Sequence, residues 1–398
     1  MAEIKQRNTS PTTTRSRKPN ASAIEKREGQ TRVIKSGVDR PFLIIVLILV
    51  AIGTIMVFSA SYAYAKERFE DSYYFAVKQI RWVICGMGAM FLFAYVIDHR
   101  FIRKIQIPFF YASMLGMLLV LFLGTEANEA VRWFQIGPFS VQPSEFAKLA
   151  IILYFSELIS SGKNAGKSTW RQLAPYLIVG GYMAVTLFFE PHLSCLVIVA
   201  LLILLLMYFG DVPMKQVGIL AVIGVVGIVI LFLVSDHARA RLLVWWNPEE
   251  HLQTGGWQPV QSLLAIGSGG FWGVGLGQST QKHLYLPEPQ NDYIFAILCE
   301  ELGFIFATFV ILLFIALIWR GIYIAKHTPD IYSSLVVIGI ISQVGIQALL
   351  NIGVVTNTLP STGISLPFFS YGGTSLITLM AEMGIVLNIS RYSYVEKG

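Results

Sequence analysis

Residues 255–303 read GGWQPVQSLLAIGSGGFWGVGLGQSTQKHLYLPEPQNDYIFAILCEELG. This is the longest polar, glycine-rich interruption in a chain that is otherwise mostly apolar. It is too rich in glycine for one regular helix. It is also too apolar, in LLAIG and FWGVGLG, to lie free in water. Four indoles, Trp245, Trp246, Trp257 and Trp272, fall in or beside it, and indoles favour the membrane–water boundary. The stretch reads as an outer loop at headgroup depth. It closes on an acid, Asp292, set where the chain re-enters an apolar run.

The composition around the loop sets the class. Of 398 residues, 55% are hydrophobic and 14% charged, against about 45–50% and about 25% in soluble domains. A chain solvated by lipid needs no charged surface. Several apolar runs reach the roughly 20 residues that a helix needs to cross a bilayer. The fold class is all-α, a polytopic membrane protein with about ten transmembrane helices. The expected spans are roughly 41–63, 77–97, 105–124, 144–161, 174–189, 193–209, 214–234, 291–319, 331–356 and 371–390. The three cysteines, Cys85, Cys195 and Cys299, fall in or beside different runs without metal-ligand spacing and read as packing residues.

Charge placement sets the orientation. Residues 1–40 are polar and basic, without hydrophobic periodicity, and read as a disordered cytoplasmic tail beside an anionic leaflet. They do not read as a signal peptide or as a nucleic-acid arm. With the N-terminus inside, the inner loops hold Arg100, Arg103 and Lys104; Lys163, Lys167 and Arg171; Lys215; Arg320 and Lys326; and Arg391 and Lys397. Both termini are then cytoplasmic. The chain divides into the tail 1–40, a transmembrane domain 41–391 with its large outer loop at 235–290 between spans 7 and 8, and a short tail 392–398. The outer loop breaks the charge rule with Arg239, Arg241 and Lys282, balanced by Asp236, Glu249, Glu250 and Glu288. Residues 358–370, TLPSTGISLPFFS, read as an irregular segment lining a cavity at the outer mouth.

Three constellations carry chemistry. Asp292 stands at the outer boundary among Gln281, Lys282, Glu288, Asn291, Glu300 and Glu301. Partial desolvation raises such a carboxyl's pKa and suits it to act as a general base, whereas a helix N-terminus opposes that shift. The plainer alternative is a helix cap. In QPSEFAKL, 142–149, Glu145 and Lys148 share one helical face, and an ion pair in a span points to a cavity or to helix packing. Arg132 and Trp133 lie just upstream and could hold a pyrophosphate and a sugar face. His192, Gln343, Gln347, Asn351 and Glu382 are isolated polar residues in or beside later spans, of the kind used for hydrogen bonds between helices or by proton-coupled transporters. SGKNAGKST (161–169) and GVGLGQ (273–278) lack the strand-turn-helix setting of nucleotide sites.

The loop from Gln261 to Gly303, the QPSEFAKL motif and the closing NIGVVTNTLPSTGISLPFFSYGGTS together resemble the SEDS family, the shape, elongation, division and sporulation proteins. The likeness runs from about Val38 to Arg391. DRPFLIIVLILVAIGTIMVFSAS and the serine in TGISLPFFSYGG are similar to the division and sporulation branches more than to the elongation branch. The resemblance implies a ten-span peptidoglycan glycosyltransferase that polymerises lipid II at the outer face of the cytoplasmic membrane during cell division. The elongation or sporulation setting with the same chemistry is the alternative.

Its catalytic aspartate maps onto Asp292, its motif glutamate and lysine onto Glu145 and Lys148, and an arginine of its NGARRW motif onto Arg132. Gln261, Ser262, Lys282 and Glu288 are further candidate substrate-binding residues. The arginine motif reads NEAVRW here, with Glu129 and Val131 departing from it, and the usual PDLGT reads PHLSC, with His192 in the aspartate's place. Implied partners are lipid II, a class B penicillin-binding protein transpeptidase, other division proteins and membrane lipid, with no nucleic acid, at the septum. A divalent cation, Mg or Mn, could share the pyrophosphate charge, but no dedicated site is visible in the residues. Two rival classes are a lipid II flippase and a pure scaffold for division proteins.

Overall fold

The computed structural model describes residues 33–35, 37–127, 130–137, 139–162, 168–190 and 192–394. Most of the basic tail, Glu129, Lys163, Lys167 and Lys397 lie outside the described residues. The helices are α1 (Arg40–Phe69), α2 (Tyr74–Phe91), α3 (His99–Leu123), α4 (Pro143–Ser160), α5 (Thr169–Phe189), α6 (Leu193–Phe209), α7 (Met214–Val234), α8 (Asp236–Trp246), α9 (Trp257–Gly269), α10 (Ile294–His327), α11 (Ile331–Val355) and α12 (Gly373–Ser390). All but α8 and α9 coincide with the ten expected spans. Eight of them are long and apolar enough to cross a bilayer on composition, α6 is a shorter apolar helix, and α4 carries Glu145, Lys148 and Glu157. The protein is an all-α polytopic membrane protein.

Helices are the natural solution here because lipid offers no partner to a backbone N–H or C=O. α12 is the central element, with 83% of its most apolar window buried, whereas 6% of that of α7 is. α2 packs on α12 where Gly86 meets Met380 and Gly384 meets Met90 and Phe93. At the inner end Asp39 caps α1 through the Phe42 N–H at 3.0 Å and accepts from Arg320 of α10 at 2.7 Å. Strand β1 (Val33–Lys35) pairs antiparallel with β5 (Tyr392–Tyr394), joining the two ends of the described chain.

Two features depart from the sequence reading. The segment between α3 and α4 is a small antiparallel sheet, β2 (Thr125–Ala127), β3 (Ala130–Ile136) and β4 (Phe139–Val141), in the order β2-β3-β4. The large loop is not loose either. It contains α8, a 3-10 turn at Pro248–Thr254 and α9, and its glycine-rich part joins a broken helix. α10 is interrupted at Gly303, which has φ 73° and ψ −179°. Residues 270–275 fill the interruption. Val274 and Gly275 donate to the carbonyls of Glu300 and Glu301 at 2.9 Å each, and Phe304 donates to Gly270 at 2.9 Å. The loop thus pairs backbone groups that the break releases. Only glycine fits at 303, since a Cβ there would run into the backbone of Gly273 and Phe271, and φ lies in the left-handed region.

Candidate functional site

A cavity of about 1220 Å³ opens among β3, β4, α2, α4, α6, α8, α11, α12 and the 287–293 and 361–372 segments. Four helices begin at it: α4 with Gln142 and Glu145, α6 with His192 and Ser194, α10 with Asp292 and Tyr293, and α12 with Gly372 and Gly373. Their first-turn N–H groups and dipoles make this end of the molecule attractive to anions.

Asp292 is half-buried, and Tyr293 rather than Asp292 stands at the N-cap of α10. The carboxyl is therefore not consumed by capping. Its Oδ2 would lie 3.3 Å from a Cβ placed on Gly363, which has φ 68°, so the 361–372 segment needs glycine to pass this close. Asn351 of α11 donates to the carbonyls of Asp292 and Ile364, both at 2.7 Å, and ties the two segments together. Burial pushes the Asp292 carboxyl up to about 6; Glu288 adds to the rise, and Arg132 and Arg241 act against it. Of the causes acting on this carboxyl, desolvation is the largest.

The cations come from separate elements. Arg132 stands on β3 and donates through Nε to the carbonyl of Glu190 at 2.9 Å. Arg241 stands on α8 and reaches the Ser361 carbonyl at 3.4 Å. Lys148, 2% exposed, lies 2.9 Å from Glu145 one helical turn away. Trp133 lines the same space. Burial and the charges of Arg132, Lys148 and Arg241 hold the His192 imidazole well below its ordinary range, so it is neutral. Glu190 is buried, and desolvation raises its carboxyl to about 8 against the pull of Arg132.

The structure therefore brings Asp292, Arg132, Glu145, Lys148 and Glu288 into one cavity. It places three other candidates elsewhere. Lys282 is 2% exposed; its Nζ lies 2.8 Å from Glu301 Oε1 and 3.4 Å from Ser59 of α1, and it does not line the cavity. Its ammonium is committed to a buried ion pair. Gln261 and Ser262 are buried in the contact of α9 with its neighbours, with the Ser262 hydroxyl donating to the Val355 carbonyl at 2.7 Å. Neither lines the cavity. Sequence reasoning missed Arg241 and Glu190. The signal for Arg241 was its breach of the inside-positive pattern, which is what a cation retained for a site produces.

A protein-held divalent ion does not fit this arrangement. Among the described residues no three His, Cys, Asp or Glu side chains gather to hold one. Glu145 is already paired with Lys148, Glu288 accepts from Asn291 at 2.8 Å, and Arg132 and Arg241 offset Asp292.

The family of cell cycle proteins that groups FtsW, RodA and SpoVE matches residues 39–395. Stage V sporulation protein E of Bacillus subtilis is 40% identical over 363 residues, covering 90% of this chain and 98% of that protein. A probable peptidoglycan glycosyltransferase FtsW of Geobacter metallireducens is 36% identical over 359 residues, covering 89% and 95%. Among solved structures, a chain from a peptidoglycan synthase complex described as coordinating polymerization and crosslinking superimposes with a TM-score of 0.75 at 25% identity, covering 90% of this chain and 99% of that one. The rod shape determining protein RodA of Thermus thermophilus does so with a TM-score of 0.66 at 25% identity, covering 90% and 98%. With a match along nearly its whole length, this chain belongs to the FtsW, RodA and SpoVE family.

Proposed function

We propose that the protein is a peptidoglycan glycosyltransferase that polymerises lipid II at the outer face of the cytoplasmic membrane during cell division, with Asp292 as general base. The carrying observation is one half-buried carboxyl, raised to about 6, sharing a cavity with Arg132, Arg241 and Lys148 where four helices begin. The relatives named as peptidoglycan glycosyltransferases support the reading.

The C4 hydroxyl oxygen of an acceptor disaccharide forms a bond to C1 of the donor sugar, and its proton passes to Asp292. The bond from C1 to the phosphate oxygen breaks, and its electron pair leaves with the undecaprenyl pyrophosphate. Direct displacement inverts the anomeric centre. A sugar hydroxyl is a poor nucleophile, and a positioned base contributes roughly 10²–10⁴-fold. Arg132 and Arg241 face the charge that gathers on the leaving pyrophosphate. Lys148, held by Glu145, extends the same field deeper into the cavity.

The partner we infer is a class B penicillin-binding protein transpeptidase, in keeping with a structural relative from a synthase that couples polymerization to crosslinking. The septum is the inferred location. The test is incubation of purified protein with labelled lipid II in detergent, with and without that partner. Wild type makes glycan strands and Asp292→Asn, folded, makes none. Absence of strands from wild type with its partner would overturn the reading and leave transport or scaffolding in its place; synthesis by Asp292→Asn at the wild-type rate would remove Asp292 as the base.

A further inference from the structure

α11 carries Asn351, Gln347 and Gln343 at four-residue steps, so three carboxamides stand on one face a turn apart. The ladder descends about 12 Å from top to bottom. At the top, Asn351 holds the Asp292 carbonyl. Gln347 and Gln343 line the cavity below it. At the bottom, Gln343 is 2% exposed, and its Nε2 donates to both oxygens of Glu382 at 3.2 and 3.1 Å. Glu382, on α12, is 0% exposed and is not among the residues lining the cavity.

Those two bonds set the orientation of the Gln343 amide. The nitrogen is taken by Glu382, which does not line the cavity, and Oε1 is left without that partner. Oε1 is buried and has no hydrogen-bond partner among the described residues. A buried acceptor without a partner calls for an explanation, and an ionisable group in a span marks a ligand path by default. The reaction as written uses neither Gln343 nor Glu382. A cation is the wrong ligand for this floor, because the Lys148 ammonium already acts on Glu382. A neutral donor is the right one.

We propose that Gln343, oriented by Glu382, is the floor of a sugar subsite that accepts a hydrogen bond from a neutral donor of the lipid-linked disaccharide, either an acetamido N–H or a C6 hydroxyl. This rests on the lipid II reading and names the part of that substrate that enters deepest. Gln343 is the specificity residue, and Glu382 is a positioning residue that acts through it.

The test uses the full chain with its transpeptidase partner and three substrates: lipid II, an analogue with acetoxy in place of the acetamido groups, and a 6-deoxy analogue that keeps the C4 hydroxyl. In wild type, one analogue raises KM by about tenfold or more with little change in kcat; which one identifies the donor. Gln343→Leu shows the raised KM with lipid II itself and treats that analogue and lipid II alike. Glu382→Leu does the same, and Glu382→Gln, whose amide oxygen still accepts from Nε2, retains the discrimination. Wild type that treats all three substrates alike overturns the proposal, as does a folded Gln343→Leu that discriminates like wild type. If Gln343→Leu does not fold, Gln343→Met replaces it, and the wild-type comparison stands by itself. Failure of the lipid II reading would appear separately, as no strand synthesis from lipid II by wild type.

Discussion

The Nε of Arg132 donates to the main-chain oxygen of Glu190 at 2.9 Å, while the carboxyl of that same glutamate lies buried within reach of the guanidinium's charge. At neutral pH the Glu190 carboxyl, raised to about 8, keeps its proton and adds no negative charge beside Arg132. Above about 8 it ionises, pairs with Arg132 and competes with pyrophosphate. KM for lipid II is expected to climb on the alkaline side, and Glu190→Gln to flatten that climb while leaving the neutral-pH rate near wild type. Steady-state kinetics from neutral to alkaline pH check this; an unchanged climb in Glu190→Gln removes Glu190 from the role.

Asp292 governs the acid side. Its proton must be off for it to act as base, so kcat/KM is expected to fall as pH drops through about 6. Arg241 favours the ionised form, and Arg241→Gln moves that limb to higher pH. Glu288 disfavours it, and Glu288→Gln moves the limb to lower pH. Asp292→Asn lowers the rate at all pH values by at least about 10²-fold. The same shift direction in both neighbours' variants would contradict the electrostatic account.

Gly303→Ala forces a left-handed φ on a residue with a Cβ and drives that carbon into the backbone of the glycine-rich loop. The strain alone costs about 1–3 kcal/mol. A lower unfolding temperature and faster proteolysis around residues 270–282 are expected. Wild-type resistance at both would show that the loop does not depend on this break.

Lys282→Met leaves the Glu301 carboxylate buried without its cation. Breaking a buried pair from one side costs about 3–5 kcal/mol. The double variant Lys282→Met with Glu301→Gln is expected to recover much of that loss. In both, the folded fraction keeps the wild-type KM, because Lys282 stands outside the cavity. A raised KM at normal stability would return Lys282 to substrate binding.

The membrane-spanning plan was legible before any coordinates. Hydropathy marks a span because each helix satisfies its own backbone within one apolar window, so the signal is local. The Glu145–Lys148 pair was legible for the same reason: a three-residue step on a helix brings two side chains together wherever the helix lies. Asp292 was legible from its place at the end of the polar loop. Lys282 misled because its neighbours in sequence suggested the site, whereas it is buried against Glu301 beside Ser59 of α1, 223 residues away.

The sequence by itself determined the class of the protein, the helices that cross the membrane and the acid at their outer border. Tertiary structure alone decided that Arg132 and Arg241, from a strand and a loop helix, would meet across Asp292, that Lys282 would be buried elsewhere, and that a glycine loop would complete a broken helix. The reason is range. Hydropathy and helical period are properties of short windows, whereas the pKa of a carboxyl depends on charges and burial supplied by segments that only folding brings together.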